Sequence, residues 1–294
     1  MKRRTFLKHT AFASTSLMVP QFLQNYAAAS FGQVDPGKIL IVVQFSGGND
    51  GLNTIIPYRN DLYYKSRPGI GIAEKDVLKI HDQQGLHPAM NGLRELYDEG
   101  LVTLLNSVGY PNPDRSHFRS MDIWHTASDS NEYWSTGWLG RYLDSQCAGC
   151  EHPHQVLEVD DSLSFALKGL ERSGFAMTDP KRVKDIAGAP FLKAAAQEGP
   201  QVRTDNLDFL YKTLIDTQSS ADYLFEQSKV HRSTTAYPNG TFGRNLKRIA
   251  ELITAKTNCR VYYVSLSGFD THVRQNATQQ RLLEQYAEGM KALV

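Results

Sequence analysis

Residues 38–45 read Lys38-Ile39-Leu40-Ile41-Val42-Val43-Gln44-Phe45, and the apolar run ends at Ser46-Gly47-Gly48. A strand with one face in water alternates apolar and polar residues, whereas a strand covered on both faces is apolar almost throughout. This stretch has the second pattern and is rich in β-branched residues. It therefore predicts a central strand of a parallel sheet.

Strand and helix patterns alternate along the rest of the chain. Strands are predicted at residues 101–108, 155–159, 175–178 and 260–266, and helices at 88–99, 119–126, 207–230, 242–255 and from Gln275 onward. Strand, helix and strand in succession favour parallel crossover units. The predicted fold class is α/β, a doubly wound and mostly parallel sheet with helices on both faces.

The first 29 residues have the pattern of an export signal. The basic start Met1-Lys2-Arg3-Arg4-Thr5-Phe6-Leu7-Lys8 precedes an uncharged stretch that ends in Ala27-Ala28-Ala29. Paired arginines followed by Phe6-Leu7-Lys8 resemble the twin-arginine consensus; an ordinary secretory signal or a basic amphipathic start is the alternative. We predict a signal peptide at 1–29, cleavage near Ala29, a linker at 30–37 and an α/β domain at 38–294. The twin-arginine translocase is then the export partner, and the destination is periplasmic or extracellular.

Charge and hydropathy exclude two classes of partner. Four of the 32 Lys and Arg residues lie in the signal, so the remaining chain has 28 cations against 31 Asp and Glu residues. This balance indicates no nucleic-acid partner. No later apolar run reaches the length of a transmembrane helix, so no stable membrane span is expected.

Polar residues follow three of the predicted strands, where an open parallel sheet binds its ligands. Asp50 follows the first strand, Arg115 and Ser116 follow the second, and Asp270 and His272 follow the last. Asp50, Asp270 and His272 offer ligands for a divalent metal, with zinc the first choice and calcium, magnesium or manganese as alternatives. Ser116, beside Arg115, could present a hydroxyl to a phosphate or sulfate ester. Taken singly, Asp50 could instead form an Asx-turn and Ser116 a helix N-cap.

Four motifs occur in order along the chain. They are Phe45-Ser46-Gly47-Gly48-Asn49-Asp50-Gly51-Leu52-Asn53-Thr54, His87-Pro88-Ala89-Met90, Arg115-Ser116-His117-Phe118 with Asp122-Ile123-Trp124-His125, and Gly268-Phe269-Asp270-Thr271-His272. Together they resemble the bacterial "domain of unknown function" family 1501, a branch of the alkaline phosphatase and sulfatase superfamily. The resemblance implies an α/β sandwich and a metal-dependent hydrolase site. Asp50 would then be a metal ligand, Ser116 would take the place of the nucleophile, and Asp270 with His272 would form a metal-binding pair.

Members of that family continue beyond the helix that begins near Gln275, through another strand and a Thr-Asp-His-Gly motif with a second metal-binding pair. This sequence ends at Val294, and we expect it to be a fragment of a longer domain. The predicted function is an exported, metal-dependent hydrolase of phosphate or sulfate esters, with small molecules or polysaccharides as substrates. The alternative is a non-catalytic exported binding or assembly protein that retains the fold.

A second group of possible metal ligands lies at residues 147–154. Cys147, Cys150, His152 and His154 could hold a structural zinc. A short-range disulfide or an unpaired surface loop is the favoured alternative, because the spacing is much tighter than in zinc fingers.

Overall fold

The computed structural model describes residues 38–145, 152–198 and 205–294. The predicted signal peptide and linker, and the cysteines Cys147 and Cys150, lie outside these ranges. Within them, no helix combines the length and the apolar character that a membrane crossing requires.

The main sheet has four parallel strands. The strands are β1 (Leu40–Ser46), β5 (Val156–Glu158), β6 (Phe175–Ala176) and β7 (Val261–Ser267), in the spatial order β1-β7-β5-β6. β1 and β7 pair over their whole length, from Leu40 opposite Val261 to Ser46 opposite Ser267. The α/β class and the parallel sheet are therefore confirmed.

Helices and a small second sheet surround this sheet. The helices are α1 (Asp61–Ser66), α2 (Asn91–Asp98), α3 (His117–Thr126), α4 (Trp138–Ser145), α5 (Pro180–Ala187), α6 (Pro190–Glu198), α7 (Asp205–Gln227), α8 (Thr241–Thr254) and α9 (Gln275–Leu293). The small antiparallel sheet contains β2 (Ile55–Ile56), β3 (Leu78–Lys79) and β4 (Gly85–Leu86), in the order β2-β4-β3.

Side chains of β7 alternate between two apolar cores. Tyr262, Val264 and Leu266 belong to a core that includes residues of α2, α8 and α9, whereas Val261 and Tyr263 belong to a core that includes residues of α4. Residues of β1 divide between the same two cores. Because helices cover both faces, the strands can be apolar throughout. This confirms the predicted helices on both faces.

The strand predicted at residues 101–108 is wrong. Val102 and Leu104 pack against the first core while Leu101 and Leu105 are exposed, so part of the segment contacts the core. However, no described strand forms a ladder with this segment, and Ser107 leaves the extended region with φ of 59°. Without that neighbour, β1 pairs only with β7 among the described strands and lies at the edge of the sheet, rather than in its centre as predicted.

Candidate metal centre

The loops that follow β1 and β7 are in direct contact. The two strands end side by side at Ser46 and Ser267. A Cβ atom on Gly47 would lie 2.6 Å from the backbone nitrogen of Asp270, and Gly47 has φ of 113°. Only glycine accommodates both the positive φ and this close approach. The Gly-Gly turn therefore allows the Asp270 loop to lie against the end of β1.

Three side chains converge at this carboxyl edge of the sheet. His272 Nε2 lies 2.8 Å from Asp270 Oδ1, and His117 Nε2 lies 3.3 Å from the same oxygen. One ligand atom from each of the three residues falls within 4.8 Å of the others. All three side chains are open to solvent, with 44% of His117, 47% of Asp270 and 78% of His272 exposed. We refer to these residues as the His-Asp-His cluster.

The start of α3 places His117 in this cluster. A Cβ atom on Gly48 would lie 3.1 Å from the His117 ring, so the ring rests against the turn after β1. The preceding loop is braced by Asp114, whose carboxylate accepts the Ser116 N–H at 2.7 Å and whose carbonyl accepts the Ser120 hydroxyl at 2.9 Å. Sequence reasoning did not single out His117 as a ligand. The available signal was its position beside Ser116 in the Arg115-Ser116-His117-Phe118 motif.

The other end of α3 is fixed to the sheet by His125. The buried His125 ring lies with Nε2 3.0 Å from Gln44 Oε1 on β1, and the same oxygen accepts the Tyr263 hydroxyl of β7 at 2.5 Å. The Gln44 oxygen cannot donate, so Nε2 of His125 carries the proton. Burial lowers the pKa of His125 and favours the neutral ring. This contact fixes the helix that carries His117.

Ser116 and Arg115 lie at the exposed N-terminus of α3. Ser116 is the N-cap, and its Oγ accepts the N–H of Arg119 over a long distance of 3.4 Å. The N-cap alternative is thus confirmed, and the hydroxyl remains only weakly engaged. The Arg115 guanidinium forms no hydrogen bond or ion pair with any described residue. Free N–H groups and the dipole at a helix N-terminus favour a bound anion.

Asp50 lies outside the His-Asp-His cluster. Arg67 donates two hydrogen bonds to its carboxylate, at 2.5 and 2.8 Å, and Gln275 Nε2 donates a third at 2.5 Å. Only 15% of the Asp50 side chain and 18% of the Arg67 side chain are exposed. The structure therefore brings Asp270 and His272 together but engages Asp50 in a separate ion pair.

The cluster has the donor set of a transition-metal site. Zinc–nitrogen and zinc–oxygen bonds of about 2.0–2.1 Å place the ligand atoms of a tetrahedral site roughly 3.4 Å apart. The His117 separation of 3.3 Å from Asp270 Oδ1 is close to this value, whereas the His272 separation of 2.8 Å is that of a hydrogen bond. Two imidazoles and one carboxylate also match catalytic zinc sites that leave a position open for water or substrate. The three residues are thus a candidate metal site by the type of their donor atoms.

A second constellation resembles a hydrolytic triad but is sealed. His154 Nδ1 lies 3.0 Å from Ser220 Oγ, and Nε2 lies 2.9 Å from Asn258 Oδ1. Burial lowers the pKa of His154 to about 4, so the ring is neutral at pH 7. Ser220 is completely buried, and a nucleophile must be reached by its substrate. The Ser220–His154–Asn258 chain is therefore a structural network, whereas the side chains of the His-Asp-His cluster are exposed.

Comparisons with known proteins identify no relative of this chain. No family model matches the chain, and neither the curated proteins nor the solved structures contain a match.

Proposed function

We propose that this protein is an exported, metal-dependent hydrolase of phosphate or sulfate esters, built on an alkaline phosphatase-like α/β domain. The observation that carries this proposal is the meeting of His117, Asp270 and His272 at the carboxyl edge of a parallel sheet. Ligand sites of open parallel sheets lie at that edge. The proposal that the protein is exported rests on the signal pattern of residues 1–29. The twin-arginine translocase would then be its partner during export.

The His-Asp-His cluster would hold the metal. Two imidazole nitrogens favour zinc, or manganese as the next choice, over calcium and magnesium, which prefer oxygen ligands. When bound, a divalent ion would polarise the ester and lower the pKa of a hydroxyl or water beside it. The exposure of all three side chains leaves room for a substrate as large as a polysaccharide chain.

Ser116 and Arg115 would act on the ester itself. The Ser116 hydroxyl is exposed, adjoins His117 in sequence and is held only by the long contact with Arg119 N–H. It can therefore turn toward an ester without breaking a strong hydrogen bond. The Arg115 guanidinium has no partner among the described residues and can bind ester oxygens in a bidentate manner. We assign Ser116 as the nucleophile and Arg115 as the group that orients the anion.

Asp50 would support the site from its ion pair with Arg67. The resemblance to the phosphatase and sulfatase superfamily assigns Asp50 as a further metal ligand. That role requires Arg67 to release the carboxylate. In the geometry described, Asp50 instead connects the turn after β1 to Gln275, the first residue of α9.

The test combines metal binding with ester hydrolysis. Zinc binding is measured by calorimetry on the wild type, Ser116→Ala and Asp270→Asn, and hydrolysis is followed with p-nitrophenyl phosphate and p-nitrophenyl sulfate. We expect Ser116→Ala to bind zinc normally. Its kcat should fall by at least about 100-fold, because the variant lacks the nucleophile. Asp270→Asn should lose both binding and activity. Ser135→Ala and His81→Ala, at exposed positions elsewhere, should match the wild type.

Two results separate this proposal from the alternative. Equal activity of wild type and Ser116→Ala would remove Ser116 from the mechanism. Zinc binding through the cluster without hydrolysis of either ester would favour the non-catalytic binding protein. The ion pair between Asp50 and Arg67 supports this alternative, because it occupies the Asp50 carboxylate. Absence of zinc binding by the wild type would reject both versions of the metal site.

A further inference from the structure

A cleft of about 620 Å³ lies at the other end of the main sheet. Its lining includes His152 and Pro153, just before β5, and Phe175, the first residue of β6. These residues mark the amino-terminal edge of the parallel strands, whereas the His-Asp-His cluster follows their carboxyl ends. The seven-residue strands β1 and β7 span about 20 Å between the two edges. The cleft shares no lining residue with the cluster.

Cationic side chains from separate elements line the cleft. Lys168 and Arg172 come from the loop before β6, and Lys212 comes from α7; the carboxylates in the lining are Glu171 and Asp216. Lys212 forms no side-chain hydrogen bond or ion pair with a described residue. The Lys168 side chain likewise forms none with a described residue, and its ammonium makes a cation–π contact 5.9 Å from the centre of the Phe165 ring. Two ammonium groups are thus available to a ligand.

The loop that carries Lys168 and Arg172 is held rigidly. The Asp144 carboxylate of α4 accepts the backbone N–H groups of Leu170 at 2.7 Å and Arg172 at 2.8 Å. Gly140 of α4 packs so tightly that a Cβ atom there would lie 2.2 Å from the carbonyl carbon of Lys168. Because this loop is already held in place before a ligand binds, binding costs less conformational entropy.

We propose that this cleft binds a small organic anion whose apolar body rests on Leu143, Leu163 and Phe175 and whose charged group lies between Lys168 and Lys212. Leu143 and Phe175 are buried side chains that form an apolar floor. A cleft of this volume with an apolar floor and a few converging polar groups is the usual form of a small-molecule site. The proposal is independent of the hydrolase function, because it uses none of the residues at the cluster.

Binding can be tested with hexyl sulfate as the probe, using calorimetry at pH 7 and low salt. Hexyl sulfate should bind more tightly than either hexanol or inorganic sulfate, because both the apolar body and the charge contribute. The double variant Lys168→Gln with Lys212→Gln should lower its affinity roughly tenfold, the combined effect of two exposed charge pairs. The matched double variant Lys65→Gln with Lys75→Gln has the same change in net charge at exposed sites elsewhere and should bind as the wild type does.

The carboxylates of the cleft provide a second test, in which the direction of the change in affinity is predicted. Glu171→Gln with Asp216→Asn should raise the affinity for hexyl sulfate, because it removes repulsion from an anionic ligand. A fall in affinity in this variant would overturn the assignment of an anion. Equal binding by the wild type and the Lys168–Lys212 double variant, or no binding by the wild type, would reject the site itself. Unchanged thermal unfolding of each variant ensures that the comparison concerns binding.

Discussion

Replacing the carboxyl group of Glu158 with an amide should stabilise the protein above neutral pH. Glu158 lies on β5 and is 1% exposed. Its carboxyl group accepts hydrogen bonds from the backbone N–H of Ser164, at 2.5 Å, and from the Ser164 hydroxyl. No cation among the described residues offsets the loss of water. Burial therefore raises the pKa of Glu158 from 4.5 to about 7.

The sign and size of the effect follow from proton linkage. The folded protein binds this proton more tightly than the unfolded chain, so the stabilisation is fully present below pH 4.5 and is lost as the pH rises through 7. As the pH rises from 5 to 8, ionisation of Glu158 should lower the free energy of unfolding of the wild type by about 2–3 kcal/mol relative to a variant that does not ionise at this position. Glu158→Gln keeps an oxygen that can accept a hydrogen bond from Ser164.

Urea unfolding of the wild type and Glu158→Gln from pH 5 to pH 8 measures this difference. Other groups also titrate in this range, but they are common to both proteins and cancel in the comparison. Glu284→Gln, at an exposed position on α9, should show a difference from the wild type that varies little with pH. If the difference between wild type and Glu158→Gln also stayed constant within about 0.5 kcal/mol, the pKa of Glu158 would not be raised in the folded protein.

Three further predictions concern other positions. Gly47→Ala should weaken zinc binding and lower the free energy of unfolding by at least 1–3 kcal/mol, because its Cβ would meet the Asp270 loop; Gly51→Ala, with open space around its Cβ, is the matched control in the same assays. Asp50→Asn should lower the free energy of unfolding by about 1–3 kcal/mol, since it leaves a half-buried Arg67 without its anion; an unchanged urea midpoint would contradict this. Cys259, buried with its pKa raised to about 11 by burial, should resist iodoacetamide until the protein unfolds, as followed by peptide mass spectrometry; rapid modification in the native state would show that the site opens.

The core strands could be predicted because their sequence pattern is local. The apolar runs reflect contact with a core on each face, with β7 mostly buried and β1 partly buried, and this requirement is visible in consecutive residues. Residues 101–108 are also rich in apolar residues, yet a strand also needs a partner for its backbone hydrogen bonds. No local pattern specifies that partner, so the sequence predicted a strand that the structure does not form.

The sequence predicted where the candidate site lies, but not which residues form it. The rule that ligands bind beyond the carboxyl ends of parallel strands led to Asp270 and His272. His117 was missed because its approach to Asp270 depends on the orientation of α3 against the sheet, which the His125 contact fixes. The pairing of Asp50 with Arg67 likewise joins residues that are 17 positions apart and have no shared motif.

That pairing bears on the candidate metal centre, because Asp50 contacts the helix that follows Asp270 and His272. The loop with Asp270 and His272 runs from the end of β7 to Gln275, where α9 begins, and Gln275 donates to the Asp50 carboxylate. Gln279, one turn later, donates to the Asp50 carbonyl at 3.0 Å. The loop is thus fixed at both ends, by the sheet and by Asp50.

Arg67→Met separates the two roles that Asp50 could have. If Asp50 were a metal ligand held away by Arg67, freeing its carboxylate would tighten zinc binding. If Asp50 acts by holding α9 and the ligand loop in place, the loss of Arg67 should weaken zinc binding, as Asp50→Asn should. We expect the second result, because Arg67 and Gln275 share the Asp50 Oδ2 atom. Losing the bidentate ion pair then leaves the carboxylate free to rotate, so the start of α9 keeps its contact with the Asp50 carbonyl but loses the one with the carboxylate.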